Sequence, residues 1–353
     1  MEKSKKSPKW AKKLWKWADR CNIPDELFPR ELDQLVCLKV LDLYSGHSTS
    51  GIKKIPKQIS RLQQLEEISI CDFPIKKLPN SICDLPELIE LSVNFTSLNK
   101  IPKNIGQLKK LKKLSFAVSE LKKIPCSLYE LNKLEYLQLS SNNIKHIAPE
   151  ISNLNKLKTF RMGANQIKEI PETLWDLGEL VCLELDFNKI TKISKNINQL
   201  KKLERLNLEC NQLSQLPVSI NGLKLLELLS LTTNKLRRCP DIYNLTNLKW
   251  LHLEENKIKD LPLQLENLTQ LEQFILSNNK LKIIPKVIGV LDSLTFLSLD
   301  NNKIKVLDID VLLRLKKLEY LRLEGNRFKL NSKLMSKLKH VKDIGFRENP
   351  FYE

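Results

Sequence analysis

Histidine and cysteine are the side chains of this sequence best suited to metal binding or nucleophilic catalysis. The four histidines, His47, His146, His252 and His340, are spread along almost the whole chain. The eight cysteines form no C-x-x-C pair, which is a common spacing in zinc and redox sites. No P-loop, G-x-S-x-G or H-E-x-x-H motif occurs. The sequence therefore predicts no catalytic residue, no metal site and no cofactor, and we expect that the protein is not an enzyme.

The composition is that of a folded chain, with 42% hydrophobic and 28% charged residues. No run of 18 apolar residues occurs, and the lysine-rich first twenty residues contain no apolar core of a Sec signal peptide. The scattered cysteines indicate reduced thiols rather than a disulfide framework. We therefore expect a cytoplasmic protein, and the alternative is secretion without a Sec signal, into a host cell.

A leucine pattern recurs from Leu38 onward with the form L-x-x-L-x-L-x-x-N-x-L-x-x-L-P-x-x-I-x-x-L. Most units are 23 residues long, and the others have 22, 24 or 27. The L-x-L alternation predicts a strand with one buried face, and I-x-x-L predicts a helical or 3₁₀ turn. Because one unit alone cannot bury its leucines, the units must stack into a solenoid. The units begin at Leu38, Leu65, Leu88, Leu111, Leu134, Leu157, Leu180, Leu203, Leu226, Leu248, Leu271, Leu294, Leu318 and Val341.

This pattern resembles the leucine-rich-repeat family, and its 23-residue L-P-x-x-I form resembles the Ras-suppressor-like class. The N-terminal flank and the frequent Lys, Asn and Ile resemble bacterial members, some of which are secreted effectors. The resemblance implies an α/β horseshoe with a parallel concave sheet of about 14 strands, short helical or 3₁₀ turns on the convex side, and a helical N-terminal cap. We expect a basic tail and cap over 1–37, thirteen repeats over 38–330, and a C-terminal half-repeat and cap over 331–353.

Asparagine occupies the bend after the strand in the last ten units. Its carboxamide both donates and accepts, so stacked asparagines are predicted to satisfy loop backbone groups. The first four units have Gly46, Phe73, Thr96 and Ser119 instead. We therefore expect the N-terminal third to be the less protected part in hydrogen exchange. The asparagines are Asn142, Asn165, Asn188, Asn211, Asn234, Asn256, Asn279, Asn302, Asn326 and Asn349.

Residues 9 to 21 have the spacing of a short amphipathic helix, with Trp10, Leu14, Trp17 and Cys21 on one side. We interpret this helix as the cap of the first repeat, which would otherwise expose core leucines. The alternative is a basic, tryptophan-containing helix that contacts an anionic membrane.

The formal net charge of +18 is unevenly placed. The third, fifth, seventh and eighth positions of each unit are predicted to face outward from the concave sheet. Over the fourteen units these positions carry thirteen acidic and five basic residues. The lysines instead precede the fourth core residue and the start of each new unit. A nucleic-acid or anionic-membrane partner on these Lys-rich flanks is therefore an alternative to a protein partner on the acidic face.

Large aromatic side chains on the same concave strip, rimmed by charges, are typical of protein-binding surfaces. Fourteen strands would offer on the order of 800 Å², one side of a standard interface. We therefore predict a monomeric interaction protein that binds a protein partner on its concave face. The predicted binding residues are Tyr136, Arg161, Glu184, Asp186, Phe187, Glu209, Trp250, His252, Glu254, Phe296, Asp300, Tyr320, Arg322 and Glu324.

Overall fold

The computed structural model describes residues 7–45, 51–329 and 336–349. The chain divides into two compact units, Met1–Ile167 and Lys168–Glu353. Gly46, His47 and most of the basic tail lie outside the described residues. The predicted domain boundaries at 37 and 330 stay predictions.

The first unit begins with two helices, α1 (Lys9–Arg20) and α2 (Leu32–Val36). Parallel strands follow, and each pairs with the next one along the chain. Five 3₁₀ helices connect them, at Lys57–Arg61, Asn80–Asp84, Ile105–Gln107, Cys126–Glu130 and Pro149–Asn153. The strands are β1 (Val40–Tyr44), β2 (Glu67–Phe73), β3 (Glu90–Thr96), β4 (Lys113–Ser115), β5 (Tyr136–Gln138) and β6 (Thr159–Arg161).

The second unit repeats the same strand and turn architecture. Its strands are β7 (Cys182–Glu184), β8 (Arg205–Asn207), β9 (Leu228–Ser230), β10 (Trp250–His252), β11 (Gln273–Ile275), β12 (Phe296–Ser298), β13 (Tyr320–Arg322) and β14 (Asp343–Gly345). The 3₁₀ helices are Glu172–Asp176, Lys195–Gln199, Val218–Gly222, Leu263–Asn267, Lys286–Val290 and Ser336–Leu338. One α-helix, α3 (Ile309–Arg314), lies in the longer unit that begins at Leu294. These fourteen parallel strands and short turns confirm the predicted α/β repeat fold.

The register of the strand pairs sets where side chains lie. The strand pairs join equivalent repeat positions, as in Tyr136 opposite Thr159 and Leu137 opposite Phe160. The leucines at the fourth and sixth positions, such as Leu137 and Leu139, are fully buried. Because side chains alternate between the faces of a strand, the third, fifth and seventh positions form rows on the opposite face. We call this surface the sheet face.

Asparagines in the bend satisfy the backbone as predicted. The Asn142 carboxamide oxygen accepts from the Leu121 N–H at 2.9 Å, and its nitrogen donates to the carbonyls of Phe116 and Leu139 at 2.8 and 3.0 Å. The same arrangement recurs at Asn211, Asn234 and Asn302. Since an unpaired buried carbonyl or N–H is costly, each asparagine ties one repeat to the repeat before it.

The N-terminal repeats, which lack the asparagine, satisfy the backbone of the bend in another way. Strands β2 and β3 are seven residues long and continue through the asparagine position, where Phe73 is buried and pairs with Thr96. The Thr96 and Ser119 hydroxyls are hydrogen-bonded to each other at 2.9 Å. Longer strand pairing thus replaces the asparagine bonds, and weaker hydrogen-exchange protection of this region stays a prediction.

The residue before the asparagine position adopts a left-handed backbone. Its φ lies between +49° and +63° in thirteen described units, and only one of these residues, Gly325, is a glycine. Val118 is among them, at +51°. This conformation is uncommon for residues with a Cβ, so the tight bend is imposed by the repeat and not by local sequence preference.

Helix α1 covers the first repeat, as the cap interpretation requires. Ala11, Leu14 and Ala18 are fully buried, whereas Trp10 and Trp17 lie half-buried at the edges of the apolar face. The Trp17 indole N–H donates to the Lys54 carbonyl at 3.0 Å. Because the apolar face of α1 packs on its own chain, it is not free to enter a membrane in this conformation. Among the described helices, none has both the length and the hydropathy of a membrane span.

Candidate protein-binding face

Three of the four aromatic residues predicted for binding in the second unit fall in one row, and Phe187 is the exception. The third positions of four adjacent strands are Trp250, Gln273, Phe296 and Tyr320, paired in that order. The ring centroids of Phe296 and Tyr320 are 6.3 Å apart, and Tyr320 is 41% exposed. Trp250 and Phe296 are only half-buried. The three rings are therefore partly open to solvent. We call Trp250, Gln273, Phe296 and Tyr320 together the aromatic row.

Beside this row lies a group of polar residues on β8 to β10, which we call the acidic cluster: Glu209, Ser230, His252 and Glu254. Ser230 pairs in register with His252, and Glu209 follows β8 by two residues. Burial raises the pKa of Glu209, and the carboxylates of Asp186 and Glu254 raise it further. Burial also raises the pKa of Glu254. The protein therefore holds carboxylates close together in a place that disfavours their charge.

His252 and Ser230 complete the acidic cluster. Burial lowers the pKa of His252, against a hydrogen bond to Gln273 (Nε2 to Oε1, 3.4 Å) and the charge of Glu209, which raise it. Ser230 is 4% exposed, and its hydroxyl has no hydrogen-bond partner within the described residues. The Oε2 atom of Glu254 is likewise buried and unpartnered there. These two atoms have unused hydrogen-bonding capacity.

Three predicted binding residues have structural partners within the second unit. Asp300 accepts from the Glu324 backbone N–H at 2.7 Å and from the Ser298 hydroxyl at 3.0 Å. Arg322 forms an ion pair with Asp343 at 2.6 Å. These contacts anchor the neighbouring strands to one another, so part of this charge serves the fold.

The remaining predicted residues divide between the units. Glu184, Asp186 and Phe187 lie at the end of β7, where Phe187 is 52% exposed on its left-handed backbone. Tyr136 and Arg161 belong to the first unit, where the Arg161 guanidinium lies 5.8 Å from the Tyr136 ring centroid. The structure therefore brings the aromatic row and the acidic cluster together in the second unit and leaves the Tyr136–Arg161 pair as a separate feature.

On β3 and β4 of the first unit, the polar residues of the sheet face are paired with one another. Lys113 forms an ion pair with Glu90 at 3.1 Å. The Asn94 carboxamide oxygen accepts from the Ser115 hydroxyl and the Ala117 N–H, both at 2.7 Å. Its nitrogen donates to the Ser92 hydroxyl at 2.7 Å. Little hydrogen-bonding capacity is left over at these residues.

Lysines at the second repeat position, and the flank lysines Lys110 and Lys202, are paired with acids of adjacent repeats. All these pairs are at the surface, where a single ion pair contributes little. The pairs are Lys39–Glu66, Lys110–Glu87, Lys158–Glu135, Lys202–Glu179, Lys249–Glu227 and Lys342–Glu319, at 2.5 to 2.9 Å. Part of the basic charge on the flanks is therefore balanced locally.

Nothing in the described geometry resembles an activated nucleophile or a metal centre. Burial raises the pKa of the thiols of Cys71, Cys210 and Cys239, and raises that of Cys83 to about 12. A thiol with a raised pKa is a poor nucleophile at neutral pH. Among the described residues, no group of three or more His, Cys, Asp or Glu side chains is placed to hold a metal ion.

Comparison with known proteins identifies the family. A family model described as a leucine-rich repeat region matches residues 18–135 and 122–212, and a single leucine-rich-repeat model matches 202–223. The chain belongs to the leucine-rich-repeat family. A search of curated protein sequences finds no match.

Solved structures of leucine-rich-repeat proteins align over most of the chain. A leucine-rich-repeat protein of Leptospira interrogans is 31% identical, with a TM-score of 0.83, over 90% of this chain and 81% of that one. The plant peptide hormone receptor RGFR1, solved in complex with RGF2, is 26% identical, with a TM-score of 0.64, over 84% of this chain and 57% of that one. An internalin of Listeria monocytogenes is 22% identical, with a TM-score of 0.75, over 93% and 92% of the chains, and shows the fold alone.

Sequence reasoning missed Ser230 and Gln273. Both are uncharged, and neither differs from an ordinary surface residue until the register places it among charged or aromatic neighbours. The available signal was position: Ser230 occupies the fifth position of a unit whose neighbours carry Glu209 and Glu254. Small polar residues between acids on adjacent strands therefore merit the same scrutiny as the acids.

Proposed function

We propose that this leucine-rich-repeat protein is a non-enzymatic interaction module whose second unit binds a protein partner on its sheet face. The observation that carries this proposal is the aromatic row lying beside the acidic cluster. Aromatic side chains supply apolar contact area, and charges at their margin give orientation and selectivity. Proteins of this repeat family are generally interaction modules.

The charge of this face indicates the chemistry of the partner. The outward positions of the second unit carry nine acids and three arginines. A partner with a basic patch would be attracted to such a face, and the attraction would weaken as salt increases. The complex of the plant peptide hormone receptor RGFR1 with RGF2 supports a role for this chain in binding a peptide or protein. RGF2 itself is the ligand of that receptor and not of this chain.

The finer features of the proposal rest on sequence. The 23-residue L-P-x-x-I spacing supports the Ras-suppressor-like class, and the similarity to the Leptospira protein supports a bacterial origin. We infer a monomer that acts in the cytoplasm or, as a secreted effector, on a host protein.

The experiment is an affinity capture that compares three forms of the full chain, with partners identified by mass spectrometry. One variant combines Trp250→Ala, Phe296→Ala and Tyr320→Ala. Its matched control combines Val218→Ala, Leu263→Ala and Val306→Ala, which removes exposed apolar side chains of the same unit away from the sheet face. We expect the aromatic variant to lose at least about tenfold in recovery of partners that the wild type and the control retain, since buried aromatic anchors contribute most of an interface's affinity.

Three outcomes would contradict the proposal. The first is equal recovery with the aromatic variant and the wild type. The second is equal loss with both variants when thermal unfolding curves show that both are folded, because apolar surface away from the sheet face would then matter as much as the aromatic row. The third is binding to RNA or anionic vesicles that survives the aromatic changes and falls steeply with salt, which would move the function to the Lys-rich flanks.

A further inference from the structure

The acidic cluster contains hydrogen-bond acceptors that the protein itself does not use. Within the described residues, the Ser230 hydroxyl and the Oε2 atom of Glu254 are buried without a partner. Glu254 already accepts a hydrogen bond from Thr232, so only its Oε2 atom remains available to a further donor. Ser230 lies between Asn207 and His252 in the register, on the opposite side of the strand from the buried Leu229. Its hydroxyl therefore points to the sheet face beside the carboxylates.

The carboxylates around these two atoms favour a hydrogen-bond donor that also carries a positive charge. The carboxylates of Asp186 and Glu254 raise the pKa of Glu209, and the carboxylate of Glu255 raises that of Glu254. Arg205 on β8 is the basic residue of these strands on the sheet face, and it is exposed. A cation bound here would satisfy the free oxygens and relieve the repulsion among the carboxylates. A neutral donor would do only the first.

We propose that Glu209, Ser230 and Glu254 form a binding site for a primary ammonium group, supplied by a lysine side chain of the protein partner. An ammonium has three donors and no acceptor, which matches one hydroxyl and two carboxylates. This inference rests on the proposed function, because it names the chemistry by which the partner is recognised.

The neighbouring row suits the apolar stem of a lysine. Leu228 and Trp250 are paired in register at the third positions, two residues before Ser230 and His252 on the same strands. A lysine stem lying over Leu228 and Trp250 would bring its ammonium to the carboxylates, since lysine buries its methylenes along apolar surface while its charge stays among polar groups. Lys249 of this chain already places its ammonium 5.9 Å from the Trp250 ring centroid, which shows that the ring accepts a cation nearby.

The test is an NMR titration of the full chain with n-butylammonium chloride, the side-chain analogue of lysine, at constant pH and ionic strength. The signals of the His252 imidazole report on the site. We expect a saturable shift in the wild type. Glu254→Gln is expected to weaken binding roughly tenfold, because it removes a charge-assisted hydrogen bond, and Ser230→Ala roughly threefold.

Matched controls define what would overturn the site. Glu90→Gln changes a sheet-face carboxylate of the first unit that already has Lys113 as its partner, and it is expected to leave the titration unchanged. n-Butanol, which has the same stem without the charge, is expected to produce no saturable shift. The absence of saturation with butylammonium, equal affinity in the wild type and Glu254→Gln, or tighter binding of n-butylguanidinium would each refute the assignment to lysine.

The titration needs no partner protein, so it is independent of the capture experiment. If the aromatic variant captures partners as well as the wild type, the proposed function fails, whatever butylammonium does. If capture depends on the aromatic row but butylammonium does not bind, the interaction face stands and the ammonium site is wrong.

Discussion

The sheet faces of the two units differ in how far their polar side chains satisfy one another. In the first unit, Asn94 is bonded to Ser92, Ser115 and the backbone of Ala117. In the second unit, the corresponding region of β8 to β10 holds carboxylates with raised pKa values and an unpartnered Ser230 hydroxyl. The fifth and seventh repeat positions thus serve structure at Ser115 and Asn94, whereas at Ser230 and Glu254 they leave capacity for a ligand.

This difference shows that a polar residue on a repeat surface indicates a structural or a binding role only when its neighbours are considered with it. A fully satisfied network stiffens the fold, whereas an unsatisfied buried group costs stability and is retained only if something else requires it. On this basis the second unit, and not the first, is where a binding partner would gain most.

The largest expected effect on stability contrasts Asn94 with Ser230. Asn94→Ala removes the acceptor of the Ala117 N–H and of the Ser115 hydroxyl, so we expect it to lower the free energy of unfolding by about 2 kcal/mol. Ser230→Ala removes a hydroxyl that has no partner within the described residues, so we expect no loss and a gain of up to about 1 kcal/mol. Urea denaturation of the three proteins measures both changes.

Equal destabilisation by the two substitutions would break the comparison, because it would mean that Ser230 is satisfied as fully as Asn94. A control is Ser140→Ala in the first unit, where the hydroxyl makes one long hydrogen bond of 3.3 Å to Gln138. Its expected effect is below about 0.5 kcal/mol.

The second prediction tests whether the two units differ in the backbone conformation of the bend rather than in side-chain pairing. Val118 in the first unit and Gly325 in the second occupy the eighth repeat position, with φ of +51° and +61°. Val118→Asn is expected to stabilise the protein by about 1 kcal/mol, since asparagine tolerates the left-handed region better than valine. Gly325→Ala is expected to destabilise it by roughly 1–2 kcal/mol, because a Cβ there is strained and would collide with the Asn301 carboxamide.

Thermal unfolding of both variants checks these signs. A destabilising Val118→Asn together with a harmless Gly325→Ala would show that the bend differs between the units. The contrast between the two sheet faces would then have a backbone cause.

The repeat architecture could be predicted from the sequence because its period is strict. Regular spacing placed leucines on the buried side and aromatic residues on the opposite face. The exposure of the leucines confirms the first, and the strand register places Trp250, Phe296 and Tyr320 together on the second. The asparagine bonds were predictable as well, since a carboxamide is one of the few side chains that both donates and accepts.

Other features have no local signature. The left-handed residue before the asparagine is Asp72, Phe95, Val118 or Ala164 in different units, so its identity predicts nothing. The division between Ile167 and Lys168 falls within an uninterrupted run of repeats. The pairing of Arg322 with Asp343 and the isolation of Ser230 depend on the reach of individual side chains, which the repeat pattern does not fix.

The smallest expected effect concerns how stability depends on pH, and it contrasts Glu209 in the second unit with Glu135 in the first. Burial and neighbouring carboxylates raise the pKa of Glu209 above its ordinary value, so the folded state holds that proton more tightly than the unfolded state. Its ionisation therefore reduces stability as pH rises from the ordinary carboxyl range through the raised pKa. Glu209→Gln should stabilise the protein at pH 7, by less than about 1 kcal/mol because the group is partly exposed, and should have no such effect at a pH below both values.

Glu135 provides the opposite case. The hydrogen bond from Lys158 lowers the pKa of Glu135, so its contribution to stability is present above the ordinary carboxyl pKa and is lost as pH falls through the lowered value. Glu135→Gln should therefore destabilise the protein slightly at neutral pH, where Glu209→Gln stabilises it. Unfolding curves recorded at pH 4 and pH 7 compare the two. If both substitutions changed stability in the same direction at pH 7, the carboxylates of the second unit would be as well compensated as those of the first, and an ammonium ligand would have no charge repulsion to relieve.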